Sequence, residues 1–298
     1  MKNKSKLVSI ILNCYNGEKY LAQALISIQN QNYNNWELIF WDNHSKDNSK
    51  NILQSFKNKK FKYFRSKKHT TLYAARNLAI EKAQGDFISF IDADDLWEKD
   101  KLQLQIKYFN DENVAVVYGN LWIRKEELKK RKIYINYKFK EGYIYQNLIQ
   151  DYNLAISSAV IKKVYLKNLK KIFNDKYNII GDYDLFLRLA KNYKFKVIQK
   201  PIATYRIHAN NFSILNKILF ATELKDWLKK NKENLEVEQR KTIKKKILNL
   251  EFSHLKFSAN FFKTFIFFTS SLTYLLNIKN VIILISPKFL LKKFMWFH

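Results

Sequence analysis

The 298-residue chain has few of the residues that cross-link or punctuate a fold: one cysteine, two prolines and five glycines. The single cysteine, Cys14, excludes an internal disulfide and fits a reducing compartment. The segment after the first apolar run contains only Gly17, which argues against a glycine-rich phosphate-binding loop. Long hydrophobic runs are also missing. The stretch Leu7–Leu12 is too short for a signal peptide, and lysines interrupt the C-terminal apolar runs before they reach bilayer-spanning length.

Acidic residues are scarce as well. The chain has 26 Asp and Glu against 54 Lys and Arg, a formal net charge of +28, and no acidic residue follows Glu251. Such an excess implies an anionic partner, for example nucleic acid, anionic lipid or a nucleotide diphosphate. No zinc-ligand spacing, RNA-binding aromatic signature or helix-turn-helix pattern accompanies the charge. We therefore do not expect nucleic acid to be the partner.

Apolar runs of strand length alternate with segments of helical periodicity in the first half of the chain. The predicted strands are Leu7–Asn13, Glu37–Trp41, Lys60–Phe64, Phe87–Ile91 and Val114–Tyr118. The predicted helices are Glu18–Asn30, Asp47–Lys57, Thr70–Ala83 and Lys99–Asn110. This alternation predicts an α/β fold, with a mostly parallel sheet flanked by helices.

The pattern is looser after Gly119. The further predictions are a strand-like alternation of Ile133, Ile135 and Tyr137, a strand at Ala155–Ile161, a helix at Gly181–Asn192, an extended segment at Lys196–Ile207 and a helical stretch at Asp226–Leu250. Two apolar runs near the end, Phe265–Ile278 and Val281–Ser286, have lysines around them. They suit helices lying at a membrane surface with basic residues toward anionic headgroups. The alternative is a helix pair packed on the first domain.

The segment 86–97 is the most informative part of the sequence. It is an apolar run that ends in three carboxylates, Asp92, Asp94 and Asp95. Crowded acids are unfavourable unless a cation lies among them, and Mg²⁺ or Mn²⁺ prefers oxygen ligands. Open α/β sheets bind phosphate-bearing ligands at the carboxyl ends of their strands. The alternative interpretation is an acidic turn after a buried strand.

Two other predicted strands also end in distinctive polar segments, at 13–18 and at 42–47. Each is weak evidence alone, because Asn and Asp favour turns. In a parallel sheet, however, these ends meet the acidic segment at one crevice.

With these segments in place, the sequence resembles the family-2 glycosyltransferases, whose nucleotide-sugar fold is called GT-A. The matching segments, over roughly residues 7–213, are Ser9–Asn16, Trp41–Asp47, Ala75–Asn77, Gly85–Asp86, Phe90–Asp95, Gly181–Arg188 and Tyr205–His208. The resemblance implies a GT-A domain over residues 1–213. Residues 214–298 would form a basic, aromatic helical tail.

The resemblance also implies roles for individual residues in a site for a nucleotide sugar. Asp92 and Asp94 match the Asp-x-Asp motif, with Asp94 as the direct metal ligand and Asp92 facing the ribose or reaching the ion through water. His208 would contact the metal or the diphosphate. The other implied donor contacts are Cys14 (through its backbone), Tyr15, Asn16 and Glu18, Asp42 at the nucleotide base, and Arg76 and Arg206 near the phosphates.

The resemblance assigns the general base to Asp182, with Asp184 as the fallback. A carboxylate suits this task because the acceptor hydroxyl must lose its proton as it attacks the anomeric carbon. The family has Glu before this Asp, whereas this chain has Gly181, a departure that concerns the acceptor contacts more than the chemistry. We expect Asp184 and Arg188 to form an i,i+4 ion pair. One base and no enzyme nucleophile imply a single displacement that inverts the anomeric configuration.

The expected activity is transfer of a hexose or hexosamine from a UDP-sugar, with Mg²⁺ or Mn²⁺, to a hydroxyl of a lipid-linked surface glycan. The expected location is cytoplasmic, at the inner face of the cytoplasmic membrane, with peripheral contact to anionic lipid. The alternative that stays open is a polyprenyl-phosphate glycosyltransferase. A nucleotidylyltransferase would want a glycine-rich phosphate loop, and the single glycine of the segment 13–18, Gly17, argues against it. A basic nucleic-acid-binding protein is suggested by charge alone.

Overall fold

The computed structural model describes residues 6–258 and 261–276. The chain divides between Ala209 and Asn210 into two compact units, and each is described by itself. The predicted domain boundary, between residues 213 and 214, stays a prediction.

The first unit contains the strands and seven of the helices found among the described residues. The strands are β1 Val8–Cys14, β2 Trp36–Asp42, β3 Phe61–Arg65, β4 Phe87–Asp92, β5 Leu96–Trp97, β6 Val114–Lys125, β7 Lys130–Ile133, β8 Val160–Lys162 and β9 Lys194–Ile207. The helices are α1 Glu18–Gln29, α2 Ser49–Ser55, α3 Leu72–Glu81, α4 Lys101–Ile106, α5 Tyr145–Gln150, α6 Lys163–Lys167 and α7 Gly181–Ala190. Short 3₁₀ turns occupy Lys107–Asn110 and Ile156–Ser158.

These strands form one sheet in the order β3-β2-β1-β4-β8-β6-β9-β5, with β7 paired to β6. The long pairings, of β1 with β2 and β4, of β2 with β3, and of β6 with β9, are parallel. The short pairings of β8 with β4 and β6, of β7 with β6, and of β5 with β9 are antiparallel. The predicted α/β fold with a mostly parallel sheet is therefore confirmed.

The core lies where apolar strands meet the apolar faces of helices. β1 and β2 are buried along their whole length, as expected of parallel strands covered on both faces. Leu21, Leu25 and Ile28 of α1 share one core cluster with Ile10 and Leu12 of β1. Each such side chain stabilises the fold by about 1.5–3 kcal/mol. The helical spacing of these residues correctly predicted both the helix and its buried face.

Two predictions of local structure are wrong because distant side chains take the backbone groups. The predicted strand Ala155–Ile161 is instead the 3₁₀ turn followed by β8. In this turn Trp97 Nε1 donates to Ser157 O at 2.9 Å. The predicted strand-like alternation of Ile133, Ile135 and Tyr137 is not a strand beyond Ile133, the last residue of β7. Asn120 causes this, because its side-chain amide donates to Ile135 O and accepts from Ile135 N.

The second unit is helical over its described residues. Its helices are α8 Phe212–Leu215, α9 Lys217–Asn231, α10 Val237–Ser258, α11 Phe261–Ser270 and α12 Leu272–Leu275. The predicted single stretch Asp226–Leu250 is wrong, since a 3₁₀ turn at Lys232–Asn234 separates α9 from α10. The apolar run Val281–Ser286 lies outside the described residues, as do residues 277 and 278 of Phe265–Ile278. In the parts of the chain that are described, every helix is too short or too polar to span a bilayer.

Candidate active site

Three parallel strands bring the predicted polar segments to the same edge of the sheet. The register pairs Asn13 of β1 with Asp92 of β4, and Cys14 of β1 with Asp42 of β2. The expectation that these strand ends converge is confirmed. Asn13 belongs to the polar segment 13–18, but the sequence assigned it no role of its own. Its buried amide makes no hydrogen bond to the described residues, so it is available to a polar group of a bound molecule.

The loops after β1 and β2 are tied together by polar contacts. Asn16 N donates to Ser45 Oγ at 3.0 Å, and Lys46 N donates to Asn16 Oδ1 at 2.9 Å. Glu18 Oε2 accepts from the backbone of Asn48 at 2.9 Å. Asn16 and Glu18 therefore shape the crevice wall. Their predicted contacts with the nucleotide sugar stay predictions.

Tyr15 and Cys14 are adjacent in sequence but differ in environment. Tyr15 is 49% exposed, and its ring centroid is 4.0 Å from that of His69. The Cys14 side chain is buried, and burial raises the pKa of its thiol to about 11. The Cys14 carbonyl accepts the backbone N–H of Asn43 at 2.8 Å. A thiol this hard to ionise fits the expectation that any contact of Cys14 with the donor is through its backbone.

The Asp42 carboxylate is buried and hydrogen-bonded within its own sheet edge. Ser45 N donates to Oδ1 at 2.6 Å and the Tyr63 hydroxyl donates to Oδ2 at 2.8 Å, while Arg65 Nε lies 3.7 Å from Oδ2. Burial, then the hydrogen bond to Asp42 and the Asp42 charge, raise the pKa of Tyr63 to about 12. A carboxylate has about four lone-pair sites, so Asp42 keeps acceptor capacity for a nucleotide base.

Asp92 is the outer end of a buried ion pair. Arg76 Nη2 lies 2.6 Å from Asp92 Oδ1, and the side chains of Arg76 and Asp92 are 2% and 36% exposed. Arg76 comes from α3, where its guanidinium also stacks near the rings of Tyr73 and Phe90. Because the arginine is enclosed, its effect on a bound donor passes through Asp92. The predicted direct contact of Arg76 with the phosphates stays a prediction.

Asp94 pairs with His208, the last residue of the segments that resemble the family-2 glycosyltransferases. His208 Nε2 lies 2.9 Å from Asp94 Oδ2. The ring of Tyr20 packs against the imidazole, with centroids 4.8 Å apart. The histidine predicted to act with the acidic segment is therefore beside Asp94, although 114 positions separate the two in sequence.

Arg206 lies beneath the acidic segment. Its side chain is fully buried, and its Nε donates to Asp94 O at 2.6 Å. Its Nη1 lies 2.8 Å from Glu126 Oε1. Its Nη2 donates to Gln23 Oε1 at 2.8 Å, and its backbone N donates to Asp95 Oδ1 at 3.1 Å. The structure thus gives Arg206 a role in holding the segment in place. No local pattern in the sequence predicted these partners, because they come from three separate elements.

Asp95 is also buried, and it supports the segment from inside. The carboxyl accepts from the backbone of Arg206, and burial together with Asp94 and Asp92 raises its pKa. Asp95 does not cap the next helix. That helix, α4, begins at Lys101, and Asp100 occupies its N-cap position.

Asp182 lies in the first turn of α7, where the sequence predicted a helix start. The Tyr73 hydroxyl donates to its Oδ1 at 2.8 Å, and the Tyr152 hydroxyl donates to its Oδ2 at 3.0 Å. Burial raises the pKa of Asp182, which makes the carboxylate a stronger base. The predicted ion pair of Asp184 with Arg188 is confirmed, with Arg188 Nη2 2.9 Å from Asp184 Oδ2.

The donor atoms of Asp94 and His208 fit a divalent ion as two of its ligands. Carboxylate oxygen and imidazole nitrogen suit Mn²⁺, and such ions take their remaining ligands from phosphate and water. Within residues 6–258 and 261–276, no three His, Cys, Asp or Glu side chains gather into a metal-binding group. Asp92 is engaged by Arg76 instead.

The fold defines the class of protein. The crystal structure of S. aureus TarS 1–349 in complex with UDP is similar with a TM-score of 0.57, at 18% sequence identity, over 91% of this chain and 76% of that one. The mannosyltransferase PcManGT from Pyrobaculum calidifontis, in complex with GDP-Man and Mn²⁺, is similar with a TM-score of 0.60, at 14% identity, over 92% and 81% of the two chains. The fold is that of the GT-A glycosyltransferases.

The sequence comparisons identify the family. The sequence model of the family Glycosyl transferase family 2 matches residues 9–173. An uncharacterized glycosyltransferase of Haemophilus influenzae is 33% identical, over 71% of this chain and 80% of that protein. Escherichia coli WfgD, a UDP-Glc:alpha-D-GlcNAc-diphosphoundecaprenol beta-1,3-glucosyltransferase, is 29% identical over 70% and 79%. The chain belongs to glycosyl transferase family 2, and the resemblance drawn from its motifs is confirmed.

Proposed function

We propose that this glycosyltransferase is a metal-dependent, inverting enzyme that transfers a hexose or hexosamine from a UDP-sugar to a hydroxyl of a lipid-linked surface glycan. The observation that carries the proposal is the pairing of Asp94 with His208, at the sheet edge where β2 ends in Asp42 and β4 ends in Asp92. This edge offers ligands for an ion and acceptors for a nucleotide. Asp182 supplies the base.

A divalent ion held by Asp94 and His208 would stabilise the negative charge that develops on the departing diphosphate. Support for Mn²⁺ or Mg²⁺ comes from the structural similarity to a mannosyltransferase crystallised with Mn²⁺. Arg206 keeps the backbone of Asp94 in place, and Arg76 orients Asp92 toward the donor. These contacts fix the acidic segment before the donor binds.

The acceptor hydroxyl gives its proton to Asp182 as its oxygen attacks the anomeric carbon. This oxygen forms the new glycosidic bond while the bond from the anomeric carbon to the diphosphate oxygen breaks. The transition state has oxocarbenium character, as in glycoside hydrolysis. Because no enzyme nucleophile takes part, one displacement occurs and the configuration inverts.

The donor and acceptor classes are supported by relatives. UDP appears in the name of WfgD and in the complex of TarS, whereas PcManGT was crystallised with GDP-Man. WfgD is named for a diphosphoundecaprenol-linked acceptor, which supports a lipid-linked glycan here. A polyprenyl-phosphate acceptor is the second candidate. It differs in needing no deprotonation.

A thermal-shift panel of UDP, GDP and dTDP, each with and without Mn²⁺, tests the donor site directly. We expect UDP to raise the midpoint of unfolding, and to do so only when Mn²⁺ is present, because an ion held by Asp94 and His208 would stabilise the bound diphosphate. At a nucleotide concentration 100 times the Kd, the stabilisation is about 2.7 kcal/mol. Stabilisation by UDP that is equal without metal would contradict the proposed metal site. A shift with GDP alone would reassign the nucleotide base of the donor from uracil to guanine.

We also propose that the second unit contacts anionic membrane. The chain carries a net charge of +28, and Phe265 and Ile266 of α11 are 44% and 49% exposed. Exposed apolar groups together with excess positive charge favour an anionic lipid surface. The full chain should float with vesicles that contain phosphatidylglycerol and not with phosphatidylcholine alone. Equal recovery with both would count against this contact.

A further inference from the structure

Two tyrosines hold the carboxylate of Asp182, one on each oxygen. Tyr73, on α3, donates from its hydroxyl to Oδ1 at 2.8 Å. Tyr152, just after α5, donates to Oδ2 at 3.0 Å. The two phenols come from segments that lie 109 and 30 positions from Asp182 in sequence. Both oxygens of the carboxylate are therefore oriented by groups outside its own helix.

The position before Asp182 has no side chain, and this makes the contact with Tyr73 possible. A Cβ added at Gly181 would lie 2.5 Å from two carbons of the Tyr73 ring. The ring thus rests directly against the first turn of α7. It is 2% exposed, and its centroid is 5.0 Å from that of Phe173. Because the ring is packed closely on both sides, the oxygen of the Tyr73 hydroxyl has little freedom to move. Its proton can still turn about the C–O bond.

That proton has two acceptors within reach. The Tyr73 oxygen is 2.8 Å from Asp182 Oδ1 and 3.1 Å from the carbonyl oxygen of Ile179. When Asp182 is ionised, the phenol donates to the carboxylate. When Asp182 carries a proton, the same phenol can donate to Ile179 O and accept from the carboxyl group. Both protonation states are hydrogen-bonded without movement of a heavy atom.

The charges around Asp182 are balanced between opposing effects. The titratable groups that face it are Tyr73 and Arg76 from α3 and Tyr152 from the segment after α5; on its own helix the N–H of Tyr183 also contributes. Burial raises the pKa of Asp182, and hydrogen bonds from the two phenols, together with the Arg76 charge, lower it. Loss of either phenol removes a donor that favours the ionised form.

We propose that Tyr73 and Tyr152 are positioning residues that aim the Asp182 carboxylate at the acceptor hydroxyl and set its proton affinity. The inference rests on the proposed function of Asp182 as the base. In the transfer step the acceptor O–H bond breaks and its proton moves to Asp182. The acceptor oxygen forms the bond to the anomeric carbon, and the diphosphate leaves with the electron pair of the broken bond. Tyr73 turns its own proton to Ile179 O as the carboxyl group becomes protonated.

The test is the pH profile of kcat/KM for Tyr73→Phe and Tyr152→Phe, which remove only the hydroxyls. Activity falls on the acid side as the free enzyme's base becomes protonated. Because each variant loses a donor to the ionised carboxylate, we expect the acid limb to move to higher pH by about one unit in each. At high pH each variant should keep kcat/KM within about tenfold of the wild type, since the base is ionised there.

Tyr165→Phe is the matched control. Tyr165 also donates its hydroxyl to a partner, the carbonyl of Glu112. It follows β8, whose Lys162 pairs with Phe87 at the start of β4, so it lies toward the edge of the sheet away from the acidic segment. Its pH profile should match the wild type.

A uniform loss of kcat/KM with an unmoved acid limb in both Phe variants would overturn the inference, because a purely structural role predicts that result. If Tyr73→Phe fails to fold, Tyr152→Phe alone decides, since Tyr152 is partly exposed and lies in a loop. Asp182→Asn separates this result from failure of the proposed function. If that variant keeps its turnover, the base assignment is wrong. If Asp182→Asn is inactive while the acid limbs of the two Phe variants stay where the wild type has them, only the inference about the tyrosines fails.

Discussion

Replacing Asp182 with Asn is expected to lower turnover by about 10²–10⁴-fold, the usual contribution of a general base. The amide has nearly the same shape: its oxygen can accept from one tyrosine hydroxyl, and its NH2 group can donate to the other hydroxyl oxygen, so the fold should be retained. It cannot take the proton of the acceptor hydroxyl. The measurement is the initial rate of sugar transfer at saturating donor, with the thermal midpoint recorded to show that the variant is folded.

Asp184→Asn is the matched comparison for this experiment. Asp184 lies two positions further along α7, and its carboxylate pairs with Arg188. We expect this variant to lose less than about tenfold in turnover, which corresponds to about 1.4 kcal/mol. The reverse order of effects would move the base to Asp184. Full turnover of Asp182→Asn would favour a lipid-phosphate acceptor, which is already deprotonated.

The second large effect is expected for Asp94→Ala. The variant should lose about 10²–10³-fold in turnover, because charge that develops on the diphosphate is no longer stabilised through this residue. It should also lose the Mn²⁺-dependent stabilisation by UDP in the thermal-shift panel. The binding readout matters because it needs no acceptor. It therefore distinguishes loss of the donor site from loss of the transfer step.

Asp86→Ala controls for removal of an acid from the same strand region. Asp86 directly precedes β4 and accepts the backbone N–H of Leu7 through Oδ2 at 3.2 Å, at the opposite edge of the sheet. We expect this variant to keep metal-dependent UDP binding. If Asp94→Ala also kept it, the ion would not be bound where we propose.

Local patterns in the sequence predicted the part of the fold that depends on periodicity. The helical spacing of Leu21, Leu25 and Ile28 located α1, and the apolar run before Asp92 located β4. Parallel strands of this kind place their carboxyl ends together, so the crevice could also be predicted. Strand boundaries were less accurate where a distant side chain bonds the backbone. Asn120 shows this at Ile135, since 15 positions separate the two.

The order of residues along the chain by itself determined the α/β alternation, the family resemblance and which carboxylates gather at the edge of the sheet. These follow from side-chain periodicity and from short motifs, both of which are local. Only the tertiary structure decided that Arg206 is buried under the acidic segment, that His208 reaches Asp94, and that two phenols hold Asp182. Contacts between residues 30 to 114 positions apart depend on how strands and helices pack, because burial and hydrogen-bond geometry are set by the whole fold.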